Sequence, residues 1–160
     1  MSVKANISFV IFDMDGVLYD FDSEARFRAF SQLSGKSVEI LKKEIWNGAF
    51  EHNAEQGTPS LSVEYVTELS RLLDTPISSE TWISIRKAAM RPKTDVLNLA
   101  EQVSRHTEIA MLSNNSVMLK DSLGHVAPEA NFLFAERAHV SAEFGARKPD
   151  IQVFHRICTK

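Results

Sequence analysis

Near its start the chain carries Ile7-Ser8-Phe9-Val10-Ile11-Phe12, a short run of β-branched and aromatic residues stopped at once by Asp13-Met14-Asp15-Gly16. An apolar run of this length, closed by turn residues, reads as a strand buried on both faces of a parallel sheet. It is too short for a signal-peptide core and far too short to span a bilayer. The 160 residues allow one domain, or one domain with a small insertion, and can bury a core without disulfides or metals.

From about Asp22 to Met90 the spacing of apolar residues turns helical. Ser23 is expected to cap a helix carrying Phe27, Phe30 and Leu33 and closed by Gly35. Val38, Leu41 and Ile45 form a second stripe that ends near Asn47-Gly48. Thr58-Pro59-Ser60 opens a third, with Leu61, Tyr65, Leu69 and Leu72, and Ser79 to Met90 reads as a fourth, with Trp82, Ile85 and Ala89 on one side. Helix after helix with no strand between reads as a helical insertion. After a further helix over 93–104, Ile109-Ala110-Met111-Leu112 reads as a strand running into the polar turn Ser113-Asn114-Asn115-Ser116. Asn131-Phe132-Leu133-Phe134 is a third expected strand, and Pro149 is expected in the first turn of a last helix with Ile151, Phe154 and Ile157. This alternation predicts an α/β fold with a parallel sheet.

Other classes are excluded by what the chain lacks. With 18 Lys and Arg against 21 Asp and Glu, the formal charge is −3, not the basic footprint of a protein that neutralises nucleic-acid phosphates. Cys158 is the single cysteine, so no intramolecular disulfide or cysteine-based zinc site is available. The five histidines show no metal-ligand spacing. A cytoplasmic protein with no membrane or nucleic-acid partner is the expectation.

In open α/β sheets, ligands bind outside the carboxyl ends of the strands. Three polar motifs belong there: Asp13/Asp15, Ser113/Asn114 and Lys148-Pro149. Taken singly they also read as a turn, a helix cap and a solvated lysine. Together, in order along one sheet, they suit phosphoryl transfer. A carboxylate can attack phosphorus and form an acyl phosphate. A second, two residues on, can give a proton to the leaving group and later take one from water. A hydroxyl and backbone N–H groups can hold phosphate oxygens, and a lysine offsets charge in the transition state. An anionic nucleophile facing an anionic phosphate also calls for Mg²⁺.

The segments Phe9-Val-Ile-Phe-Asp13-Met-Asp15-Gly16-Val17-Leu18, Met111-Leu-Ser113-Asn114 and Arg147-Lys148-Pro149-Asp150 resemble the first three motifs of the haloacid dehalogenase (HAD) superfamily. The helical block resembles that superfamily's C1-type cap. Trp46-Asn-Gly-Ala-Phe-Glu51, Glu55-Gln-Gly57 and Met90-Arg91-Pro92 resemble its small-cap branch, which holds glucose-1-phosphatase-like enzymes and the phosphatase domains of epoxide hydrolases. The resemblance implies a Rossmann-like core over 1–20 and 91–160 with a cap over 21–90. It implies Asp13 as nucleophile and Mg²⁺ ligand, and Asp15 as general acid/base whose main-chain carbonyl also faces the metal. Ser113 and Asn114 would hold the phosphate, and Lys148 would stabilise both it and Asp13. Asp15 favours phosphoryl transfer over dehalogenation, because halide leaves without a proton.

The family's fourth motif, an acidic pair after another strand, has no counterpart before Lys160; Glu136 and Glu143 are expected to be surface carboxylates. The sequence therefore reads as a shortened core whose 7–12 strand becomes an apolar edge inviting self-association. His52 is expected on the cap surface. Trp46, Phe50 and Trp82 are expected in the cap's packing, with a substrate pocket as the other reading. The implied activity is Mg²⁺-dependent hydrolysis of a small phosphorylated metabolite, such as a sugar phosphate, through an aspartyl-phosphate. A phosphomutase of the same superfamily and a non-catalytic phosphate-binding module are the alternatives.

Overall fold

In a computed structural model, which describes residues 7–160, the first apolar run is strand β1, Phe9–Phe12. β1 lies parallel to β4 (Glu108–Ser113), which lies parallel to β5 (Ala138–Val140), giving the order β1-β4-β5. Side chains alternate across this sheet as the pleat requires. Val10, Phe12, Ile109 and Met111 face the main core; Phe9, Ile11, Ala110 and Leu112 face a second cluster with Val153 and Ile157. Both faces of the central strand are covered, and its residues after Glu108 are buried. β1 is paired on one side only among the described residues and stays half-buried, as an edge strand must.

The crossover from β1 to β4 contains six of the nine α-helices among the described residues. It begins with a tight turn in which the Met14 carbonyl accepts from the N–H groups of Leu18 and Tyr19 at 2.9 and 3.0 Å, with Gly16 at φ 81°. Strand β2 (Tyr19–Phe21) follows and pairs antiparallel with β3 (Met90–Pro92). Between these strands lie α1 (Ser23–Ser34), α2 (Val38–Leu41) continuing into a π turn over Lys42–Trp46, α3 (Ala49–Ala54), α4 (Ser62–Leu73) and α5 (Ser79–Ala88). The β2–β3 ribbon thus joins the helical insertion to the sheet. Phe27, Phe30, Leu41, Ile45, Tyr65, Leu69 and Trp82 meet in the insertion's interior at the spacings that predicted its helices, joined by Leu73, whereas Leu72 is only partly buried and Leu61 is exposed. The chain returns through α6 (Thr94–Ser104), β4, α7 (Val117–Val126), α8 (Pro128–Phe134), β5, a short 3₁₀ turn over Ser141–Phe144 and α9 (Ile151–Cys158). No helix among the described residues is long and apolar enough to cross a membrane.

Several expectations are corrected. Asn131–Phe134 is the end of α8, not a strand. Pro128 opens that helix, Asn131 N–H bonds to the Ala127 carbonyl at 2.9 Å, and Ala130 and Phe134 are buried one turn apart. A four-residue apolar run cannot by itself distinguish strand from buried helix, and the third strand is Ala138–Val140. Asp22, not Ser23, caps α1, its carboxylate accepting from Ala25 N–H at 2.9 Å. Leu33 is half-exposed. Pro149 lies before α9, whose cap is Asp150. Helix α3 forms where the second stripe was expected to end. Glu143 is not a free surface carboxylate but sits among His139, Lys120 and Lys160.

Candidate active site

Asp13 follows the last residue of β1, where the chain leaves the sheet. Its Oδ1 accepts from Met14 N–H at 2.8 Å and forms an ion pair with Lys148 Nζ at 2.7 Å. Lys148 comes from the loop beyond β5 and also donates to the Leu112 carbonyl at 2.8 Å, at the end of β4. Ser113, the last residue of β4, is buried, with its hydroxyl 2.7 Å from Asn115 Nδ2. The same Asn115 nitrogen lies 3.2 Å from Asp15 Oδ2. Residues distant in sequence therefore meet because parallel strands end on the same side of a sheet.

Asn114 lines this site but spends its side chain on the loop. Its Nδ2 donates to the Lys148 carbonyl at 2.9 Å, and its Oδ1 accepts from Lys148 N–H at 2.8 Å. That pair of bonds fixes where the lysine emerges. Ser141, in the turn after β5, supports the arrangement by accepting from Asn115 N–H at 3.2 Å and donating to the Glu55 carbonyl at 2.6 Å.

The insertion supplies the rest except Arg147, which comes from the loop beyond β5, and none of it is singled out by spacing. Arg86 of α5 places one nitrogen 2.7 and 2.6 Å from the two Asp15 oxygens. Arg26 of α1 pairs with Glu51 at 2.5 Å, and Tyr65 donates to the same Glu51 oxygen at 3.0 Å. Glu55 pairs with Arg147 at 2.6 Å, and Arg147 donates to His52 Nδ1 at 2.7 Å. Four carboxylates and four cations thus form four ion pairs, Asp13–Lys148, Asp15–Arg86, Glu51–Arg26 and Glu55–Arg147, around a cavity and the hollow that adjoins it. Two of these pairs bridge the insertion and the core. Beyond the predicted Asp13, Asp15 and Lys148, Glu51, Glu55 and Arg147 stand inside segments that carry the family resemblance, whereas Arg26 and Arg86 left no trace in the sequence.

Burial pushes the Glu55 carboxyl up to about 7; Arg147 opposes the shift, while Glu51 and Asp15 add to it. Burial also pulls Arg86 below the ordinary guanidinium range, against the attraction of Asp15. For Arg26 burial acts in the same direction, but Glu51 and Tyr65 outweigh it and hold the guanidinium above its ordinary range.

The inner cavity, about 230 Å³, is lined by Asp13, Asp15, Arg86, Ser113, Asn115 and Lys148 among others. It adjoins a hollow of about 460 Å³ under α3, which shares Trp46, Glu51 and Glu55 and adds Asn47, His52, Asn53 and Arg147. Trp46 is half-exposed and flanks both spaces, whereas Phe50 and Trp82 pack on Tyr65 at ring separations of 4.9 and 6.0 Å. The two readings of the aromatic trio therefore divide: one lines the pocket and two pack the insertion. A larger hollow of about 920 Å³ lies by Ser8, Phe9 and Glu108, at the amino ends of β1 and β4, away from these groups. Among the described residues no group of three or more His, Cys, Asp or Glu is arranged to hold a metal ion. The carboxylates that line the inner cavity are those of Asp13, Asp15, Glu51 and Glu55, each in an ion pair.

No family model matches the chain, and no curated protein matches it. Solved structures do. A HAD family enzyme from Bacteroides thetaiotaomicron is 18% identical and superposes with a TM-score of 0.78, covering 96% of this chain and 77% of that one. The same enzyme in complex with magnesium and inorganic phosphate gives 0.76 at 18% identity, covering 96% and 78%. A protein described as a predicted HAD-like family hydrolase from Porphyromonas gingivalis is 20% identical, with a TM-score of 0.76 over 97% of this chain and 76% of that one. The likeness establishes the fold: a Rossmann-type parallel sheet flanked by helices, as in those proteins.

Proposed function

We propose that this chain is a HAD-type phosphatase that hydrolyses small phosphate monoesters through a phosphorylated Asp13. The observation that carries this reading is the meeting of Asp13, Asp15, Ser113 and Lys148 in one cavity, with Lys148 Nζ 2.7 Å from the Asp13 carboxylate. The enzyme from Bacteroides thetaiotaomicron with the same fold, bound to magnesium and inorganic phosphate, supports it.

In the first step an Asp13 carboxylate oxygen attacks phosphorus, and the ester oxygen departs with a proton from Asp15. In the second, water attacks the acyl phosphate and gives its proton back to Asp15, which frees phosphate and Asp13. The Ser113 hydroxyl donates to a phosphate oxygen, and Lys148 balances negative charge on Asp13 and on the transferring group. Asn114 and Asn115 keep Lys148 and Asp15 in place. The Asp13 carboxylate and the Asp15 main-chain carbonyl would hold Mg²⁺, a cation that takes one or two carboxylates and leaves its other positions to water and phosphate oxygens. When bound, Mg²⁺ supplies charge neutralisation between nucleophile and phosphate. The helical insertion limits substrate size and excludes water. The polar outer hollow beside the Trp46 ring suits a hydroxyl-rich leaving group such as a sugar.

Release of phosphate from p-nitrophenyl phosphate tests the reading. Mg²⁺-dependent turnover that chelation stops and Asp13→Asn abolishes is expected. Turnover that survives Asp13→Asn, or its absence in the parent chain, overturns it.

A further inference from the structure

We infer that Arg86, carried by the helical insertion, is a positioning residue that aims the Asp15 carboxylate at the leaving group and completes the site only when the insertion sits on the core. The inference rests on the phosphatase reading and extends it to a residue outside the strand-end motifs.

Arg86 is buried, with its side chain 3% exposed, and its guanidinium carbon lies 3.7 Å over the Phe21 ring. One of its nitrogens reaches both Asp15 oxygens, and its Nε has no hydrogen-bond partner among the described residues. A buried guanidinium left partly unpaired, close to a second buried guanidinium on Arg26, is a poor way to stabilise a fold. An apolar residue of similar volume commonly does as well or better. What the arrangement does supply is geometry. Asp15 projects from the turn after β1, and its described side-chain contacts are Arg86 and, at 3.2 Å, Asn115. Phe21, in the ribbon that joins insertion and core, fixes the guanidinium plane from below. The carboxylate is therefore oriented by a group from the other half of the molecule, and displacing the insertion releases it. A proton donor misplaced by about an ångström loses much of its effect, so Asp15 is competent when the substrate is enclosed.

The test compares phenyl phosphate with p-nitrophenyl phosphate, esters of closely similar shape whose leaving groups differ in their need for a proton. In Arg86→Ala, kcat/KM for phenyl phosphate is expected to fall on the order of 10²-fold, and that for p-nitrophenyl phosphate by less than about fivefold. Added guanidinium at non-denaturing concentration should restore at least about tenfold of the phenyl phosphate activity in Arg86→Ala and none in Asp15→Asn. Arg86→Lys should recover part of it. Equal losses on the two esters without guanidinium rescue would assign Arg86 a structural role and overturn the inference, as would an unchanged kcat/KM. Asp13-dependent turnover indifferent to Arg86 overturns the inference alone. Turnover indifferent to Asp13, or none in the parent chain, overturns the phosphatase reading and the inference with it.

Discussion

Glu55 sits where charges of both signs crowd: Arg147 at 2.6 Å on one side, and Glu51, Asp15 and Lys148 around the shared cavity. Its side chain is 16% exposed, and burial holds its carboxyl near 7. A carboxyl raised on folding costs nothing below its ordinary range, where both states are protonated. It weakens the fold progressively as pH rises from about 4.5 to about 7. The stability of Glu55→Gln relative to the parent is therefore expected to increase by about 2 kcal/mol between pH 5 and pH 8. Urea unfolding at the two pH values checks this, and a difference that does not vary with pH contradicts it. At this scale Asp13, Asp15, Ser113 and Lys148 were legible because each is adjacent in sequence to a strand end or its following loop. Glu55, in the turn after α3, and Arg86, on α5, reach the same cavity from the insertion. Arg86 has no local signal in the sequence, and Glu55 only the resemblance of its segment to the small cap.

Among the elements, the turn after β5 shows how one carboxylate ties several pieces together. Glu143 accepts from Val140 N–H at 2.8 Å and pairs with Lys160, in the last residue after α9, at 2.9 Å. His139 of β5 lies 3.3 Å away, and Lys120 of α7 at 3.8 Å. Burial works to raise its carboxyl, but His139, Lys160 and the Val140 N–H outweigh it and bring it down to about 2. Such a group stabilises the fold fully above the ordinary carboxylate range, and the contribution fades as pH falls from about 4.5 towards 2. Glu143→Gln is expected to cost about 2–3 kcal/mol at pH 7, and less than half of that at pH 3. Denaturant titration of both proteins measures the difference, and a cost that persists undiminished in acid counts against the ion cluster. The sequence read Glu143 as a surface residue because its partners lie on three separate elements. It read Asn131–Phe134 as a strand because four apolar residues carry no period. Longer segments were read correctly as helices: the stripes over α1, α4 and α5 span enough turns for their period to show, although Leu33 and Leu61, assigned to them, lie exposed.

At the scale of the molecule, the insertion and the sheet are joined by the β2–β3 ribbon and by the Asp15–Arg86 and Glu55–Arg147 pairs. The cavity between them is lined by both, so a ligand held there stabilises their union. Inorganic phosphate with Mg²⁺ is expected to raise the melting temperature of the parent chain, by the equivalent of about 2.7 kcal/mol at a hundredfold excess over its dissociation constant. Ser113→Ala should reduce that rise and Asp13→Asn should remove its Mg²⁺ dependence. Thermal scans with phosphate, Mg²⁺ and both together would show it; a melting temperature unmoved by all three argues against an anion site in this cavity.

The sequence by itself determined the α/β class, the helical insertion between the first two core strands, and the strand-end position of Asp13, Asp15 and Ser113. These follow from local rules: hydrophobic period, turn chemistry, and the single direction of parallel strands. Tertiary structure alone decided that Asn114 serves the Lys148 loop, that Trp46 faces the pocket while Phe50 and Trp82 do not, and that Arg86 and Glu55 line the same cavity. Those outcomes depend on how helices fold back over the sheet. Such packing is set by the summed burial of many side chains, and no single residue or spacing along the chain carries it.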